Sequence, residues 1–418
     1  MKQQQMTLSE ELEWRGFIKE STFADIKELD KKKQWVFYHG FDASAESQTI
    51  GNLAAMMFDK VFMRHGHKAI ILAGGATSLI GDPGGKEVER NLQAEKIINN
   101  NVKNAEVQLQ AIFKDHKFTM VNNIEWTKSM SVLDFLRDIG KHFSMTNLVQ
   151  RDYIATRMNE GGSGISYTEF SYTLLQGMDY LHLFDKYDCT LQLGGSDQWG
   201  NCLSGVDLIR RARGVETHVI TLPLVINKAT GKKFGKSEEG AVWLDAKNTS
   251  VYKFYQFWLN MDDEGVEDYL KVYTELNKNE VDNIISEFNK DKSKRHAQKV
   301  LAKEVTEIVH GKEITKKIIN ITELLFEGNY KKLKDSDFEL LTKELPTETV
   351  KNKSIVELLV AGGLASSNTE AKRFIAGGAI YINGTQIDES KNNLDKSDFI
   401  SGYAIMRRGK NNQMIVKN

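Results

Sequence analysis

The order of strand, glycine turn and helix near the start of the chain is the feature that most constrains its fold. Residues 34–39 form a short apolar and aromatic run that ends on Gly40, as a buried strand does. Apolar residues then recur at helical spacing between Ile50 and Val61, and a second apolar run at 69–73 ends on a pair of glycines. This order predicts a βαβ unit, in which a crossover helix joins two parallel strands.

The same order returns in the middle of the chain. We expect a helix at 168–180, a strand at 189–193, the turn Gly194-Gly195-Ser196-Asp197 and a helix that runs through Leu208. Two such units predict an α/β fold with a Rossmann-like, doubly wound parallel sheet, which binds ligands beyond the carboxyl ends of its strands. The absence of G-x-G-x-x-G after the first strand and of P-loop spacing at 81–86 argues against a dinucleotide site or a P-loop.

Composition places the chain among ordinary globular proteins. Its 418 residues suffice for two or three domains, and its 56 basic and 57 acidic side chains give a formal charge of −1, which does not indicate nucleic-acid binding. Two cysteines, Cys189 and Cys202, are too few for a disulfide framework. No run approaches the ~20 apolar residues of a membrane span, and the N-terminus is polar. We expect a cytoplasmic protein without a membrane partner.

Three further segments are predicted after a sheet domain at 1–228. A helical domain is expected at 229–330, because residues 249–325 have helical periodicity. The charged, irregular stretch 331–350 is typical of a linker. The last segment, 351–418, is the most basic part of the chain by count, with ten Lys or Arg against six Asp or Glu.

The last segment is expected to be a small α+β module. Two short helices precede an apolar strand that ends on Asn383-Gly384, a strong β-hairpin signal. Lys372 and Arg373 are adjacent on the second helix and are the basic residues that we expect to contact a nucleic acid.

The segment Lys233-Phe234-Gly235-Lys236-Ser237 carries two ammonium groups and a hydroxyl next to a glycine. Lysine supplies a compact positive charge on a flexible stem, and glycine lets the backbone approach a ligand. Such a loop fits a polyphosphate whose oxygens gain negative charge in a transition state. Taken alone, the pattern is more typical of a solvated basic turn, so its interpretation depends on the other motifs.

Four motifs now stand in one order. They are Tyr38-His39-Gly40-Phe41-Asp42, Gly74-Gly75-Ala76-Thr77 through Gly81-Asp82-Pro83, the string GGSDQWGN from Gly194 to Asn201, and Lys233 to Ser237. Together they resemble the bacterial-type tyrosyl-tRNA synthetases of class I, from about Trp35 to the C-terminus, and the last module resembles an S4-type RNA-binding domain. The resemblance implies a homodimer that activates tyrosine with ATP and Mg²⁺, without a tightly bound cofactor, and transfers the tyrosine to tRNA.

The resemblance also assigns roles to individual residues. Catalysis is assigned to Lys233, Lys236 and Ser237, which match the KMSKS-type loop around the departing pyrophosphate, and to Thr49 and Asn52. Tyrosine is assigned to Tyr38 and Asp179 at its phenol and to Asp82, Tyr172 and Gln176 at its ammonium group, with Gln198 as a further tyrosine-binding residue. Spacings of four and three residues place Tyr172, Gln176 and Asp179 on one helix face. Without the resemblance, a polar helix face with no ligand would be the simpler interpretation.

For ATP the resemblance implies glycines that allow close approach and polar groups that hold ribose or adenine. These residues are Gly40, Asp42, Gly51, Asn52, Gly195, Asp197, Gln198 and Lys236. Lys86 and Arg90 match residues that hold phosphate during closure, and a solvated face is an equal alternative for them. We predict no metal-binding residues, since His65 and His67 flank a glycine without further ligands.

The chain departs from the family at one signature. Both histidines of the usual HIGH sequence are absent, and Thr49-Ile50-Gly51-Asn52 stands in its place. Threonine and asparagine still donate neutral hydrogen bonds to phosphate, so we expect a lower rate rather than an inactive protein. His39, beside Tyr38, could reach a ribose oxygen or be a packed strand histidine, and the sequence leaves both open.

Other functions stay open at this point. One is a relative that makes the adenylate but transfers tyrosine to a non-tRNA acceptor, and another is a tryptophan-specific enzyme, against which the phenol-binding pair argues. A third is an RNA-binding protein with weakened or lost catalysis, which the missing histidines favour and the retained lysine loop does not.

Overall fold

The structure is a computed structural model that describes residues 6–82, 93–149, 152–158, 162, 164–228, 231, 234, 236, 237, 240–409 and 412–418. The chain divides into two compact units. Unit 1 contains residues 1–249 and 257–309, and unit 2 contains residues 250–256 and 310–418. The four-part division made from the sequence stays a prediction.

Strands and helices are numbered in chain order. The strands are β1 (Glu20–Ser21), β2 (Val36–Phe41), β3 (Lys68–Ala73), β4 (Phe118–Asn122), β5 (Leu191–Gly195), β6 (His218–Leu222), β7 (Lys236–Ser237), β8 (Gly240–Ala241), β9 (Thr347–Thr349), β10 (Ile380–Ile382), β11 (Thr385–Gln386), β12 (Tyr403–Arg408) and β13 (Asn412–Lys417). The helices are α1 (Leu8–Arg15), α2 (Ile50–Arg64), α3 (Thr77–Ile80), α4 (Glu95–Ile112), α5 (Ile124–Thr127), α6 (Val132–Asp134), α7 (Met145–Val149), α8 (Asp152–Met158), α9 (Tyr167–Tyr187), α10 (Trp199–Arg213), α11 (Val251–Leu259), α12 (Val266–Tyr273), α13 (Lys278–Lys290), α14 (His296–His310), α15 (Lys312–Glu327), α16 (Asp335–Glu344), α17 (Ile355–Ala361) and α18 (Asn368–Ala376).

Unit 1 is built on a sheet with the strand order β1-β6-β5-β2-β3-β4. Strands β2 to β6 pair in parallel, and the short β1 is antiparallel to β6. The chain runs from β2 outward through β3 to β4, and later from β5 outward through β6 on the other side. The strand order therefore reverses between the parallel neighbours β2 and β5, which is the switch point where doubly wound sheets bind ligands. The predicted α/β parallel-sheet fold is confirmed.

Local sequence explains the elements at that switch point. The strands β2, β3 and β5 are mainly apolar, and most of their residues are buried, as in central parallel strands. Helix α9 is longer than the predicted 168–180 because the Ser166 side chain caps its first turn and Asp188 ends it in a left-handed conformation. Tyr38 packs at a ring distance of 5.1 Å against Tyr180 of this helix, so β2 and α9 share one core.

Unit 2 contains a mixed sheet in the order β11-β10-β12-β13-β9. The Asn383-Gly384 turn joins β10 and β11 as an antiparallel hairpin, as predicted. The expected linker at 331–350 is not irregular, because helix α16 buries Phe338 and Leu341 and strand β9 pairs in parallel with β13. The many charges of this stretch lie between the apolar positions and mask their helical spacing.

Among the described residues there is no helix whose length and apolar content would let it cross a membrane.

Candidate active site

A cavity of about 370 Å³ opens in unit 1 at the switch point between β2 and β5. Its lining includes thirteen of the predicted site residues: Tyr38, Gly40, Asp42, Thr49, Gly51, Asn52, Asp82, Tyr172, Gln176, Asp179, Gly195, Asp197 and Gln198. The described part of the chain thus brings together residues that stand up to 160 positions apart in the sequence. Their individual roles stay predictions.

The structure describes five other predicted residues only in part or not at all. Lys86, Arg90 and Lys233 lie outside the described residues. Lys236 and Ser237 form strand β7, and only their backbone is described. The described residues show no group of three or more His, Cys, Asp or Glu that could hold a metal ion.

A buried carboxylate forms one end of the cavity, which we call the tyrosine end after its predicted ligand. Asp179 of helix α9 is 2% exposed. Its two oxygens accept hydrogen bonds from Asn123 Nδ2 at 2.9 Å and from Trp126 Nε1 at 2.8 Å. Burial raises the pKa of Asp179 to about 7, and the two hydrogen bonds lower it only in part. The site therefore holds a carboxylate that changes its protonation state near neutral pH.

Three polar side-chain atoms of the cavity lining here are buried without a partner among the described residues. They are the Tyr38 hydroxyl, Gln176 Oε1 and Gln192 Oε1. A buried polar atom without a hydrogen bond destabilises the fold unless a ligand or a water molecule bonds to it. Burial raises the pKa of the Tyr38 hydroxyl far above its ordinary value, so this group stays a neutral donor and acceptor. The tyrosine end can thus receive a ligand with its own hydroxyl and donor groups.

A second polar chain continues from the GGSDQWGN string. Gln198 Nε2 donates to Asp82 Oδ2 at 2.6 Å, and Asn201 Nδ2 donates to Gln198 Oε1 at 3.2 Å. Asn201 is in turn bonded by the Thr173 hydroxyl of α9 at 2.8 Å. These contacts fix the amide of Gln198 and leave the cavity edged by carboxylate and amide groups that can bind an ammonium group.

The other end of the cavity, which we call the nucleotide end, is formed by the first turn of helix α2. The backbone N–H and the hydroxyl of Thr49 both donate to Asn52 Oδ1, at 3.0 and 2.9 Å. The two residues that replace the signature histidines therefore cap the helix together, and the amide N–H₂ of Asn52 is left to donate elsewhere. A Cβ at residue 51 would make only an ordinary 3.5 Å contact with Thr49 Oγ1, so the space beside Gly51 is open to a ligand.

Residues that follow the lysine loop are hydrogen-bonded to this helix start. Ile50 N donates to Val242 O at 3.1 Å, and Leu244 N donates to Gln48 O at 2.8 Å. A bridge between Thr49 and Trp243 completes this short pairing. The nucleotide end and the segment after the loop are thus directly connected within unit 1.

Phe234, within the lysine loop, is buried in an aromatic cluster of unit 1. Its ring lies 4.6 Å from that of Tyr269 and 5.6 Å from those of Trp258 and Tyr273. Its backbone N–H donates to Val225 O at 2.8 Å. Trp258 of α11 and Tyr269 and Tyr273 of α12 thus form part of a core of unit 1 that fixes this point of the loop.

Asp42 and His39 lie on or just beyond strand β2. Ser78 donates its hydroxyl to Asp42 Oδ1 at 2.6 Å, which orients that exposed carboxylate. The buried His39 ring is paired through Nδ1 with Asp59 Oδ1 of helix α2 at 2.8 Å. Burial raises the pKa of Asp59, and the imidazole lowers it in part. His39 is therefore both packed and part of the cavity wall, so the two alternatives left by the sequence do not exclude each other.

In unit 2 the predicted Lys372 and Arg373 lie on helix α18 and are exposed. Two further arginines lie on strand β12, where Arg407 stacks 4.3 Å from the Tyr381 ring and Arg408 4.8 Å from the Phe374 ring. The sequence pattern indicates basic residues on one helix only. Strand β12 adds charges beside aromatic rings, an arrangement that suits nucleic acids.

Comparison with known proteins identifies the family. Residues 30–327 match the model of the class I tRNA synthetases for tryptophan and tyrosine, and residues 337–416 match that of a tyrosine–tRNA ligase C-terminal domain. The chain belongs to this class I synthetase family. The predicted resemblance is confirmed.

Named relatives agree with this membership along the whole chain. A tyrosine–tRNA ligase of Listeria monocytogenes is 42% identical over 420 residues, which cover 98% of this chain and 99% of the relative. The tyrosine–tRNA ligase 2 of Bacillus cereus is 42% identical over 421 residues, with coverage of 99% and 100%.

Solved structures give the same fold. A truncated mitochondrial tyrosyl-tRNA synthetase of Aspergillus nidulans superposes with a TM-score of 0.69 at 30% identity, over 77% of this chain and 95% of that one. A tryptophanyl-tRNA synthetase of Plasmodium falciparum has a TM-score of 0.54 at 14% identity, over 79% of this chain and 90% of that one. The second likeness shows the fold alone.

The site also contains residues that the motifs did not indicate. Asn123 and Trp126 hold Asp179, and Asp59 holds His39. Asp59 carries a sequence signal, because it stands within an otherwise apolar helix face and a buried carboxylate needs a partner. Asn123 precedes the short helix α5 and Trp126 lies within it, and this four-residue helix carries no comparable signal.

Proposed function

We infer that this chain is an ATP-dependent tyrosine–tRNA ligase. The observation that carries the inference is the tyrosine end of the cavity, where buried Asp179 and the unpartnered Tyr38 hydroxyl lie in one pocket. Both can pair with a phenol hydroxyl. The family membership and the ligase names of relatives over the whole chain support the same activity.

In the proposed reaction, tyrosine and ATP bind side by side in the cavity. The tyrosine carboxylate attacks the α-phosphorus of ATP, so a carboxyl–phosphorus bond forms and the bond to pyrophosphate breaks. A ribose hydroxyl at the 3′ end of the tRNA then attacks the tyrosyl carbonyl and AMP leaves. Neither step needs a protein nucleophile, because positioning and electrostatic stabilisation of the phosphates carry the catalysis.

The predicted residues would divide this work between the two ends. Asp179 and Tyr38 would bind the phenol, while Asp82, Tyr172 and Gln176 would bind the ammonium group with Gln198 beside them. At the nucleotide end, Gly51 would leave room for the adenosine, and Asn52 and Thr49 would face the phosphates. Lys233, Lys236 and Ser237 would stabilise the pyrophosphate, with Lys86 and Arg90 as further phosphate contacts.

A pocket that pairs the phenol hydroxyl would exclude phenylalanine, whose entry leaves the Tyr38 hydroxyl without a partner and Asp179 without its hydrogen bond from the phenol. Tyrosyl-tRNA synthetase is itself the known example of this effect, and the rejection of phenylalanine by about 10⁵-fold is a figure taken over from that enzyme. Tryptophan has no hydroxyl at the corresponding position either. We therefore propose tyrosine as the amino acid substrate, without an editing step.

Further partners are part of the same proposal. Mg²⁺ would enter with ATP as part of the substrate and be held mainly by the triphosphate. Lys372 and Arg373, together with Arg407 and Arg408 of β12, would contact the tRNA. A cytoplasmic location stays a prediction from the sequence.

A homodimer is also proposed. Large apolar side chains are exposed in the part of unit 1 that runs from the end of β4 to the first residue of α9, among them Val132 at 74%, Leu133 at 78% and Tyr167 at 68%. Exposed apolar residues of this size are typical of protein interfaces. A second copy of the chain would cover them, and sedimentation equilibrium should give twice the mass of 47.4 kDa.

The test is tyrosine-dependent exchange between ATP and pyrophosphate by the purified protein. We expect exchange with tyrosine and none with phenylalanine or tryptophan. Lys236→Ala should lower the exchange rate about 100- to 1000-fold, the typical loss on removing one transition-state donor. Folded protein that gave no exchange would contradict the ligase function and favour the RNA-binding alternative. The loss of catalysis would then be explained by Thr49 and Asn52, which bond to each other instead of to phosphate.

A further inference from the structure

The loop between β2 and α2, residues 42–49, contains a buried serine that makes three hydrogen bonds. Ser47 is 3% exposed. Its hydroxyl donates to Gln48 O at 2.9 Å, and it accepts from Gln108 Nε2 of helix α4 at 2.9 Å and from Asp245 N at 3.1 Å. A hydroxyl has one donor and two acceptor positions, so all of them are used. Ser47 therefore connects its own loop to α4 and to the segment after the lysine loop.

The peptide groups of Gln48 are fixed by the same set of contacts. Gln48, which is 3% exposed, donates its backbone N–H to Gln108 Oε1 at 2.9 Å. Its carbonyl accepts from the Ser47 hydroxyl at 2.9 Å and from Leu244 N at 2.8 Å. Because the carbonyl of Gln48 and the N–H of Thr49 belong to one planar peptide unit, these bonds also orient Thr49, which caps helix α2. We call the side chains of Ser47 and Gln108 together the loop junction.

Helix α4 presents a row of side-chain amides to this loop. Asn101 Nδ2 donates to Ala43 O at 2.8 Å, and Asn104 Nδ2 donates to Glu46 O at 3.0 Å. Residues 101, 104 and 108 are three and four positions apart, so they lie on one face of the helix. The two asparagines bond carbonyls earlier in the loop, whereas Gln108 bonds the last residues before α2.

The loop junction connects segments that are proposed to contact phosphate. Thr49 and Asn52 begin α2, and residues 242–245 follow the lysine loop directly in the chain. Neither Ser47 nor Gln108 is among the residues that line the cavity. Their influence on a bound nucleotide must therefore pass through the backbone groups that they hold.

We propose that Gln108 and Ser47 are positioning residues for formation of the adenylate, which hold the start of α2 and the segment after the lysine loop in place around the phosphates. This inference rests on the proposed function, since that function supplies the phosphate transfer. Donors that are already in place stabilise the transition state without reorganising during the reaction. A loosened junction should therefore lower kcat rather than raise the KM for either substrate.

The experiment measures tyrosine-dependent exchange between ATP and pyrophosphate by wild type and Gln108→Met. Methionine has a similar size but no amide, so it removes both hydrogen bonds of Gln108 and keeps most of the packing. The matched control is Gln110→Met, the same change on the same helix, at an exposed residue whose amide donates to Glu106 at 3.3 Å. Thermal melting reports on folding, and titration of active sites gives the rate per active molecule.

Gln108→Met should lower kcat per active site about 5- to 30-fold, the effect of two neutral hydrogen bonds, and change both KM values less than twofold. Ser47→Ala, which leaves the bond between Gln108 and Gln48 N in place, should lower kcat less. Gln110→Met should match wild type. A Gln108→Met protein with fewer active sites but the wild-type rate at each of them would overturn the proposal, since Gln108 would then only stabilise the fold.

A double-mutant cycle tests whether Gln108 acts through the start of α2. Asn52→Ala removes an amide that is proposed to face phosphate. In that background Gln108→Met should lower kcat clearly less than it does in wild type, because the two residues serve one arrangement. Effects that simply multiply would overturn the positioning role.

Deuterium exchange of backbone amides decides the question if the double variant does not fold. In Gln108→Met, peptides that contain residues 48–52 and peptides that contain residues 242–245 should both lose protection, because the loop junction no longer connects them. Loss of protection in α4 alone would overturn the proposal.

Failure of the proposed function is distinguishable from failure of this inference. If wild type gave no exchange between ATP and pyrophosphate, the ligase function would fail, and the role of the loop junction in that reaction would fail with it. If wild type were active and Gln108→Met matched its rate per active site, only the inference would fail.

Discussion

The two ends of the cavity are built differently. At the tyrosine end, Asp179 and Tyr38 are each 2% exposed, and the carboxylate is held by Asn123 and Trp126 from a separate segment. At the nucleotide end, Asp42 and Asp197 are exposed, and Thr49 is bonded within its own helical turn. The first end is organised before any ligand arrives, whereas the second depends more on contacts that the ligand completes. Substitutions at the first end should therefore have larger and more specific effects.

Among the substitutions that compare the two ends, Asp179→Asn at the tyrosine end should have the largest effect. The amide has nearly the same shape, but it replaces one accepting oxygen with an N–H₂ group that faces another donor. The phenol loses a hydrogen bond to a charged group, worth about 1.5–3 kcal/mol. We predict that kcat/KM for tyrosine falls about 10- to 150-fold, which is that energy expressed as a ratio, while the KM for ATP changes less than twofold.

The control for this variant is Trp126→Phe, which removes only the indole N–H that Asp179 accepts. It should cost less than Asp179→Asn because one donor is lost and the carboxylate remains. Equal effects of Asp179→Asn on both substrates in exchange kinetics would mean that the two ends are not separable.

The pH dependence should also distinguish the two ends. The raised pKa of about 7 at Asp179 means that the carboxyl is increasingly protonated below neutral pH. Its ionised form is the better acceptor for the phenol, so kcat/KM for tyrosine should rise with pH. A single group with this pKa gives about a tenfold rise between pH 6 and pH 8. Asp179→Asn should abolish this rise of kcat/KM with pH. If the rise persisted in the variant, another group would be responsible for it.

Much of the fold was predictable from sequence because the relevant signals are local. The apolar runs that became β2 and β3, the glycine turns after them and the Asn383-Gly384 hairpin each depend on a few neighbouring residues. The parallel pairing of β9 with β13 depends on contacts between residues more than 60 positions apart. Such pairing leaves no periodic signal in a three-residue strand.

The site divides in the same way. Residues within the recurring motifs, such as Tyr38 and Asn52, were predictable, and the structure places them around one cavity. The supporting residues Asn123 and Trp126 were not, because their role arises only when β4 and α9 come together. Asp59 is intermediate, since its charge within an apolar helix indicates burial but not its partner.

A smaller effect is expected from Asn52→Ala at the nucleotide end. The change removes the acceptor that caps Thr49 and the N–H₂ group proposed to face phosphate. Loss of a helix cap costs about 0.5–2 kcal/mol of stability. We predict a melting temperature lower by a few degrees and a 3- to 10-fold lower exchange rate, by roughly 1 kcal/mol of one hydrogen bond, without a change in the KM for tyrosine. Thr49→Val is the matched control, because it keeps the backbone bond and loses only the hydroxyl.

A selective loss of the exchange rate in Asn52→Ala, beyond that in Thr49→Val, would support a phosphate contact by the Asn52 amide. If both variants lost only stability, the two residues would be helix caps alone. The missing signature histidines would then have no replacement at this place.

The smallest effect on activity is expected from Glu11→Gln, which loosens the far end of the helix that carries the nucleotide end. Glu11 accepts hydrogen bonds from Arg15 at 2.7 Å and from His65 at 2.8 Å, and it also pairs with Arg64 in the last turn of α2. Burial alone would raise the pKa of Glu11, but the hydrogen bond from His65 and the charges of both arginines lower it to about 2. Because the folded pKa lies below the ordinary value of 4.5, ionised Glu11 stabilises the fold above that pH, and this contribution is lost as the pH falls from about 4.5 to about 2.

Glu11→Gln should therefore lower the free energy of unfolding by about 1–3 kcal/mol at pH 7, and the difference from wild type in denaturant titrations should shrink towards pH 2. If the two ends of α2 are independent, the KM for ATP at pH 7 should change less than twofold. A larger rise would show that the nucleotide end depends on the interactions of Glu11 at the opposite end of the helix.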